Sequence, residues 1–419
     1  LAARPLVAIW IALLILVPIA AYMANGVVIA LCVAALGAPR LRYWPQWWRH
    51  RALRPPLPAL ALLLIWMMMT SAYAIDPGEA AAKGLRLFAL FGITIGAISA
   101  CESTSVDNAR RMGLALGIAM ISLIALVSIE YAAGGLFLKL AKDYPRELLV
   151  RGLDMTLHDY TLWRVHNALG RSGVVLIALG PAALLALSTT RLGRRGTLAV
   201  GLAGAALILI LPIATAKIAL IATLLATLGG YFLPRATVVS LTLGILALLM
   251  GMPLIALAMD PAMPFGFDAK LVDVSLQHRF YIWHFTAERI SEHPWLGWGL
   301  ESARAMPGAE EAVTVYKNGL PHLAHTVMLP LHPHNLALHI WVEGGAIGAL
   351  ALGAAIIGLG QSLDRMRRDR ALFAAALGSV AGLLVIASAS FGLWQDWWLS
   401  CIALTAVFLS ALRRARGGI

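Results

Sequence analysis

His334 and Asn335 stand where an apolar segment opens, and Gly345 and Gly348 follow inside it, giving the pattern His-Asn-x9-Gly-x2-Gly. The pattern directly follows the longest polar interruption in the chain. An imidazole in that place is poised to accept a proton where a hydrophobic helix meets water. A helix N-terminus disfavours imidazolium, so His334 is expected to be neutral. Three roles are open to it: general base, metal ligand or capping polar group. Pro333 suits a first helical turn, and Asn335 suits the free amides there.

Other polar residues with chemical potential lie nearby. A helical pattern from Gln277 to Ser291 aligns Arg279, Trp283, Thr286 and Ile290 in one stripe. The Arg279 guanidinium forks two N–H donors toward a phosphate or carboxylate, or else snorkels to lipid headgroups. Phe280 and Trp283 suit the headgroup level. The run His293-Pro294-Trp295-Leu296-Gly297-Trp298-Gly299 punctuates the end of that helix. Lys217, beside Thr215 in a very apolar neighbourhood, is either an anion-binding group or a helix-end anchor. Asn335, His339 and Glu343 recur every fourth residue. The His339/Glu343 pair suits a proton relay or a structural hydrogen bond, with Gly344, Gly345 and Gly348 permitting close helix contact. Eight of the eleven histidines fall between residues 260 and 340. His322, His325, His332 and His334 lack regular metal-ligand spacing, so no metal and no cofactor are expected.

The elements that position these groups follow from composition. With 419 residues, 60% hydrophobic and 13% charged, the chain reads as an all-α polytopic integral membrane protein, a single membrane domain over 1–419. About twelve transmembrane helices are expected: 5–23, 25–38, 57–74, 85–100, 112–131, 172–190, 197–213, 216–233, 236–258, 334–360, 371–391 and 395–412. The first is too long for a removable signal peptide, and Leu1 in place of Met is expected of a trimmed or processed chain. Two outer connections are long, 132–171 and 260–333, the latter between the ninth and tenth spans and containing helical structure. Loops of that length are usually functional.

Net charge +12 does not indicate nucleic acid. With both termini inside, the inner loops collect nineteen basic residues against four acidic ones, and the outer side holds the remaining fourteen and seventeen. That is the positive-inside bias. Cys32, Cys101 and Cys401 all fall in spans or at an inner end, which argues against a disulfide framework. The sequence has no Walker A loop, no Rossmann glycine pattern beside a strand, no Asp-x-Asp and no Gly-x-Ser-x-Gly elbow. Nucleotide-driven chemistry is therefore not expected.

Taken together, the twelve spans, the long outer loop before the third-last span, Arg279 followed by Trp283 and His293-Pro294-x2-Gly297-x-Gly299, and His334-Asn335-x9-Gly345-x2-Gly348 resemble the O-antigen ligase and polymerase superfamily of bacterial envelope glycosyltransferases. The resemblance implies a GT-C-type architecture with a large periplasmic loop, and metal-independent inverting transfer of O-antigen from undecaprenyl diphosphate to a sugar hydroxyl of the lipid A core. It also implies a multi-pass protein of the bacterial inner membrane whose site faces the periplasm. It assigns the essential arginine to Arg279 and the essential histidine to His334. A second family arginine falls at Lys217, which keeps the charge and loses the bidentate fork. Lys83, Arg86, Arg151, Arg164 and Arg171 are expected to complete a phosphate cradle, with Asn335, Trp283 and Glu343 in support. O-unit polymerisation and glycan transfer to a protein such as a pilin share this site. From another class, a proton-coupled transporter would use the His339/Glu343 stripe.

Overall fold

The computed structural model describes residues 55–141, 145, 156–317, 319–322 and 326–417. The expected spans 5–23 and 25–38 lie outside these residues. Each of the other ten coincides with a helix: α1 (Pro56–Thr70), α2 (Pro77–Ser103), α3 (Val106–Ala132), then, after the short α4 (Leu136–Ala141), α5 (Leu157–Leu187), α6 (Gly193–Ile210), α7 (Ala214–Phe232) and α8 (Pro234–Ala258). After the large excursion come α10 (Leu336–Asp364), α11 (Arg370–Ala389) and α12 (Asp396–Ala415), with α9 (Val274–Glu292) inside the excursion. Nine of them are long and apolar enough to cross a membrane, and α1 is a shorter apolar helix.

The helix starts follow from local chemistry. Asp76, Ser105, Thr156, Asp273, Asn335 and Asp369 each cap a helix with a side-chain oxygen that accepts a backbone N–H. Proline occupies the first turn of α1, α2 and α8. The lengths of the connections were less legible. Residues 157–171, expected in an outer loop, are the first four turns of α5, which carries Arg164 and Arg171 along its flank. Polar residues mask the span there, but a capped start at Thr156 extends the helix beyond its apolar part. Likewise Lys83 and Arg86 lie within α2, which begins at Pro77.

The bundle is tied together where small residues let helices touch. Thr223 and Thr227 of α7 pack on Gly382 and Gly378 of the antiparallel α11; a Cβ added at these glycines would lie 2.3 and 2.1 Å from the threonine hydroxyls. Tyr160, Leu169, Ile177 and Leu179 of α5, Leu116 and Leu123 of α3, and Trp398 and Phe408 of α12 form the largest buried cluster. Cys101 and Cys401 are buried, unbonded members of it. Large apolar side chains on α6, α7 and α8, among them Leu202, Ile221, Leu225, Leu243 and Leu254, are exposed, as lipid-facing surfaces require.

The excursion from 259 to 335 is a folded cap. Its helix α9 is followed by a short antiparallel hairpin, β1 (Val315–Lys317) with β2 (Leu320–His322). The Gln277 side chain joins helix to hairpin, accepting from the Tyr316 N–H and donating to its carbonyl, both at 2.8 Å. Phe280, expected at the headgroup level, is instead buried against Trp283 and Phe267 in the cap's own core.

Candidate active site

The two glycine motifs meet through their backbones. Helix α10 is not continuous, because Gly345 adopts φ 61°, ψ −163° and breaks it. The Pro294–Gly299 segment docks into the break. Trp298 N–H donates to Val342 O (2.8 Å), Gly299 N–H to Glu343 O (2.9 Å) and Ala346 N–H to Pro294 O (2.9 Å). A Cβ at Gly345 would lie 2.3 Å from the Trp295 carbonyl oxygen, and one at Gly297 would lie 2.5 Å from the Glu343 carbonyl carbon. The expectation of close helix contact holds at Gly344, where α1 packs with Trp66 Nε1–H on the Gly344 carbonyl (2.8 Å) and Met67 alongside, and is corrected at Gly345. Gly345 admits a loop into a broken helix, at a backbone geometry open essentially to glycine alone.

The broken helix carries a buried carboxylate with three donors. Glu343, 1% exposed, accepts from Trp394 Nε1–H (2.7 Å), Ala303 N–H (3.3 Å) and His339 Nε2–H (3.2 Å). His339 Nδ1 accepts the Leu393 N–H at 3.0 Å, which fixes the proton on Nε2. Both members of the pair are thereby committed to holding the cap, α10 and the 390–395 turn together. Of the two readings their spacing allows, relay or structural hydrogen bond, these contacts are those of the structural one.

His334 sits just ahead of this unit. Asn335 caps α10 through Leu338 N–H (3.1 Å), so the helix proper begins at Leu336, and Pro333 and His334 precede it. This corrects the placement of Pro333 in the first turn. His334 has φ +52°, one of three non-glycine residues with positive φ among the described residues. Its Nδ1 lies 2.6 Å from the carbonyl oxygen of Ser390, the residue that ends α11. A carbonyl only accepts, so Nδ1 carries the proton and Nε2 keeps a free lone pair. Burial pushes the imidazole down to a pKa of about 4, aided by the Arg279 charge and by His278 and His339, against the pull of the Ser390 hydrogen bond. The expected neutrality holds, but its cause is burial next to a cation rather than a helix N-terminus.

Arg279, on α9, acts on this histidine through its charge. One turn further along the helix, Trp283 donates Nε1–H to Pro333 O (3.1 Å), pinning the residue before His334. The guanidinium Nη1 donates to Ser275 Oγ at 2.9 Å, while Nε is buried without a hydrogen-bond partner. Burial lowers the Arg279 pKa from its ordinary value, and the Asp273 carboxylate works against that. A partly buried guanidinium with an unused donor has the chemistry to take an anion.

The sequence did not single out two groups that complete the environment. His332, considered there only as a metal ligand, lies 4.2 Å centroid to centroid from His334 and its Nδ1 accepts the His334 N–H at 3.3 Å. Burial first, then the His334, His339, Arg304 and Arg279 neighbourhood, keeps His332 far below an ordinary histidine. Ser390 is 56 residues from His334, and no local pattern signals such a pair. His325 and the His322 side chain lie outside the described residues, as does Arg151.

The remaining cations divide. Lys83 is 6% exposed and is held by Trp394 O (3.1 Å), Asp396 Oδ1 (3.4 Å) and Glu301 Oε1 (3.6 Å). Arg86 pairs with Glu79 and Asp396, each at 3.8 Å. The Lys83 charge is taken up by carboxylates, which corrects its expected place in a phosphate cradle; Arg86 is exposed and meets carboxylates only at these long distances. Arg171 lies over the Trp397 ring at 5.9 Å, and Arg164 stands two turns before it on α5. Lys217, in the first turn of α7, has no hydrogen-bond or ion-pair partner among the described residues. The α7–α11 register, with Gly230 on Ala374 and Thr223 on Gly382, brings it level with the last turn of α11. Lys217, Arg171, Arg279 and His334 thus share one end of the bundle.

Residues 161–353, a stretch that includes Lys217, Arg279 and His334, match the family model described as O-Antigen ligase. Proteins named "Putative polysaccharide ligase" are similar over part of the chain. That of Rickettsia conorii is 31% identical over 126 residues, 30% of this chain and 29% of the relative. That of Rickettsia prowazekii is 30% identical over 125 residues, with the same coverage. That of Rickettsia bellii is 28% identical over 138 residues, 33% of this chain and 32% of the relative. The matched part of the chain spans under a third of the length of these relatives. Over residues 161–353, somewhat under half of its length, the chain is similar to the O-antigen ligase family.

Proposed function

We propose that the protein transfers O-antigen polysaccharide from undecaprenyl diphosphate to a sugar hydroxyl of the lipid A core, at the periplasmic face of the bacterial inner membrane. The observation that carries this reading is the neutral His334, its Nδ1–H on Ser390 and its Nε2 free, under the charge of a partly buried Arg279 with an unused donor.

The acceptor hydroxyl gives its proton to His334 Nε2 as its oxygen attacks the anomeric carbon. The bond from that carbon to the diphosphate oxygen breaks on the opposite face, inverting the configuration. Undecaprenyl diphosphate leaves with the electron pair. Arg279 takes the developing charge on its fork, and Lys217, the free cation at the same end, adds a second. A charge pair at 4 Å is worth about 4 kcal/mol at an effective dielectric of 20, so two cations supply stabilisation of the size a metal ion provides elsewhere. Positioned proton acceptance adds about 10²–10⁴ in rate.

The test supplies purified protein in proteoliposomes with donor plus lipid A core, donor alone, or donor plus pilin, in the presence of chelator. Product on the lipid A core, lost in His334→Ala, supports the reading. A longer lipid-linked chain from donor alone, or glycosylated pilin, replaces it with polymerase or protein transferase. Loss of wild-type activity in chelator overturns the metal-independent part.

A further inference from the structure

The end of the bundle opposite His334 holds a cavity of about 1060 Å³. It opens where α3 starts, α5 and α7 end, α11 starts and α12 ends, a helix length of about 30 Å from the candidate site. Arg110, Arg111, Arg368, Arg370 and Arg416 line it, against one carboxylate, Asp369. Asp369 is already engaged, capping α11 through Leu372 N–H (3.1 Å) and pairing with Arg416. Arg110 has only a long contact to Asp107, at 3.8 Å between exposed groups. Arg111, Arg368 and Arg370 have no hydrogen-bond or ion-pair partner among the described residues. Three unneutralised guanidinium groups therefore come to one concavity from two different parts of the chain.

Below the charged rim the wall turns apolar: Leu114, Leu185, Ala186 and Leu412 lie deeper along their helices, with Tyr231 at the interface. A free phosphate would use the rim and leave this wall unused. An anionic phospholipid would use both, its phosphate on the arginines and its chains along the apolar wall. The chain's own residues 1–54, which lie outside the described part, contain no Asp or Glu and seven basic side chains counting His50. They offer nothing to neutralise the rim.

We propose that this cavity is a binding site for the phosphate headgroup of an anionic phospholipid, on the side of the membrane opposite the glycan chemistry. It is separate from the donor site, and its presence does not depend on which acceptor the enzyme uses.

The experiment is native mass spectrometry of the full-length protein titrated with short-chain phosphatidylglycerol, with phosphatidylcholine of the same chain length, and with inorganic phosphate. The wild type is expected to retain one phosphatidylglycerol tightly and phosphatidylcholine only weakly. Arg111→Gln/Arg368→Gln/Arg370→Gln is expected to lose that binding by on the order of 100-fold, since each arginine near an anionic lipid is worth about fivefold. The single variants Arg368→Gln and Arg370→Gln are each expected to lose about fivefold, and they serve if the triple variant does not fold. Arg191→Gln/Arg194→Gln/Arg195→Gln, at the same end but outside the cavity, is expected to bind as wild type. Equal binding by wild type and the cavity variants, equal loss in the Arg191 control, or displacement of the lipid by millimolar phosphate would each overturn the proposal.

Discussion

Replacing His334 by asparagine separates the chemistry of this position from its conformation. At φ +52° most side chains are strained, but asparagine is among the residues that tolerate the left-handed region. The fold around Asn335 and Trp283 is therefore retained while the proton acceptor is lost. If His334 Nε2 takes the acceptor proton, turnover falls about 10²–10⁴-fold, or about 3–5 kcal/mol of barrier. The pH profile is more diagnostic. An ordinary imidazole of pKa about 6.5 would be about 90% protonated at pH 5.5, and the rate would be down about tenfold. The buried ring, with a pKa of about 4, remains about 97% neutral at that pH, so the rate should be flat from pH 7.5 to about 5 and fall toward 4. Stability follows the same group. The folded state refuses a proton that the unfolded chain binds, so stability is fully present above about 6.5, declines as pH falls, and levels off below about 4. The total is on the order of 3 kcal/mol. Initial rates of glycan transfer and thermal unfolding in detergent, both from pH 4 to 8, give the two curves. An activity midpoint near 6.5, or an asparagine variant within about threefold of wild type, would refute the reasoning.

Gly345→Ala should lower the unfolding temperature sharply and abolish transfer, because its Cβ meets the Trp295 carbonyl at 2.3 Å and the strain is about 1–3 kcal/mol before any lost docking bond; an unchanged melting curve would count against the docking account. Glu343→Gln keeps the shape but presents an amide to one of three donors, and should cost about 1–3 kcal/mol in denaturant unfolding. Arg279→Lys preserves charge without the fork, so transfer should fall by about tenfold or more while Arg279→Gln falls further; parity of the two would assign the residue a packing role. Lys217→Arg should keep or raise activity, with KM for the lipid donor as the sensitive readout.

Hydrophobic runs of membrane length are set by the solvent they face, and this is why the ten spans expected within residues 55–417 each emerged as a helix. Cap residues fix helix starts locally, so Asn335 before α10 and the helix around Arg279 and Trp283 were readable too. The charge bias marked which turns lie together at one end. What neighbours each side chain would find was not readable. Lys83 looked like a free cation until Glu301 and Asp396, more than 200 residues away, closed on it. The His339/Glu343 spacing left relay and structural hydrogen bond both open until Trp394, Ala303 and Leu393 closed on the pair. Periodicity says which face of an element is wet or dry, because that depends on residues three or four apart. The tautomer of His334, set by a carbonyl 56 residues on, and the break at Gly345, set by a loop that pairs with it, depend on contacts that exist only once the helices have packed.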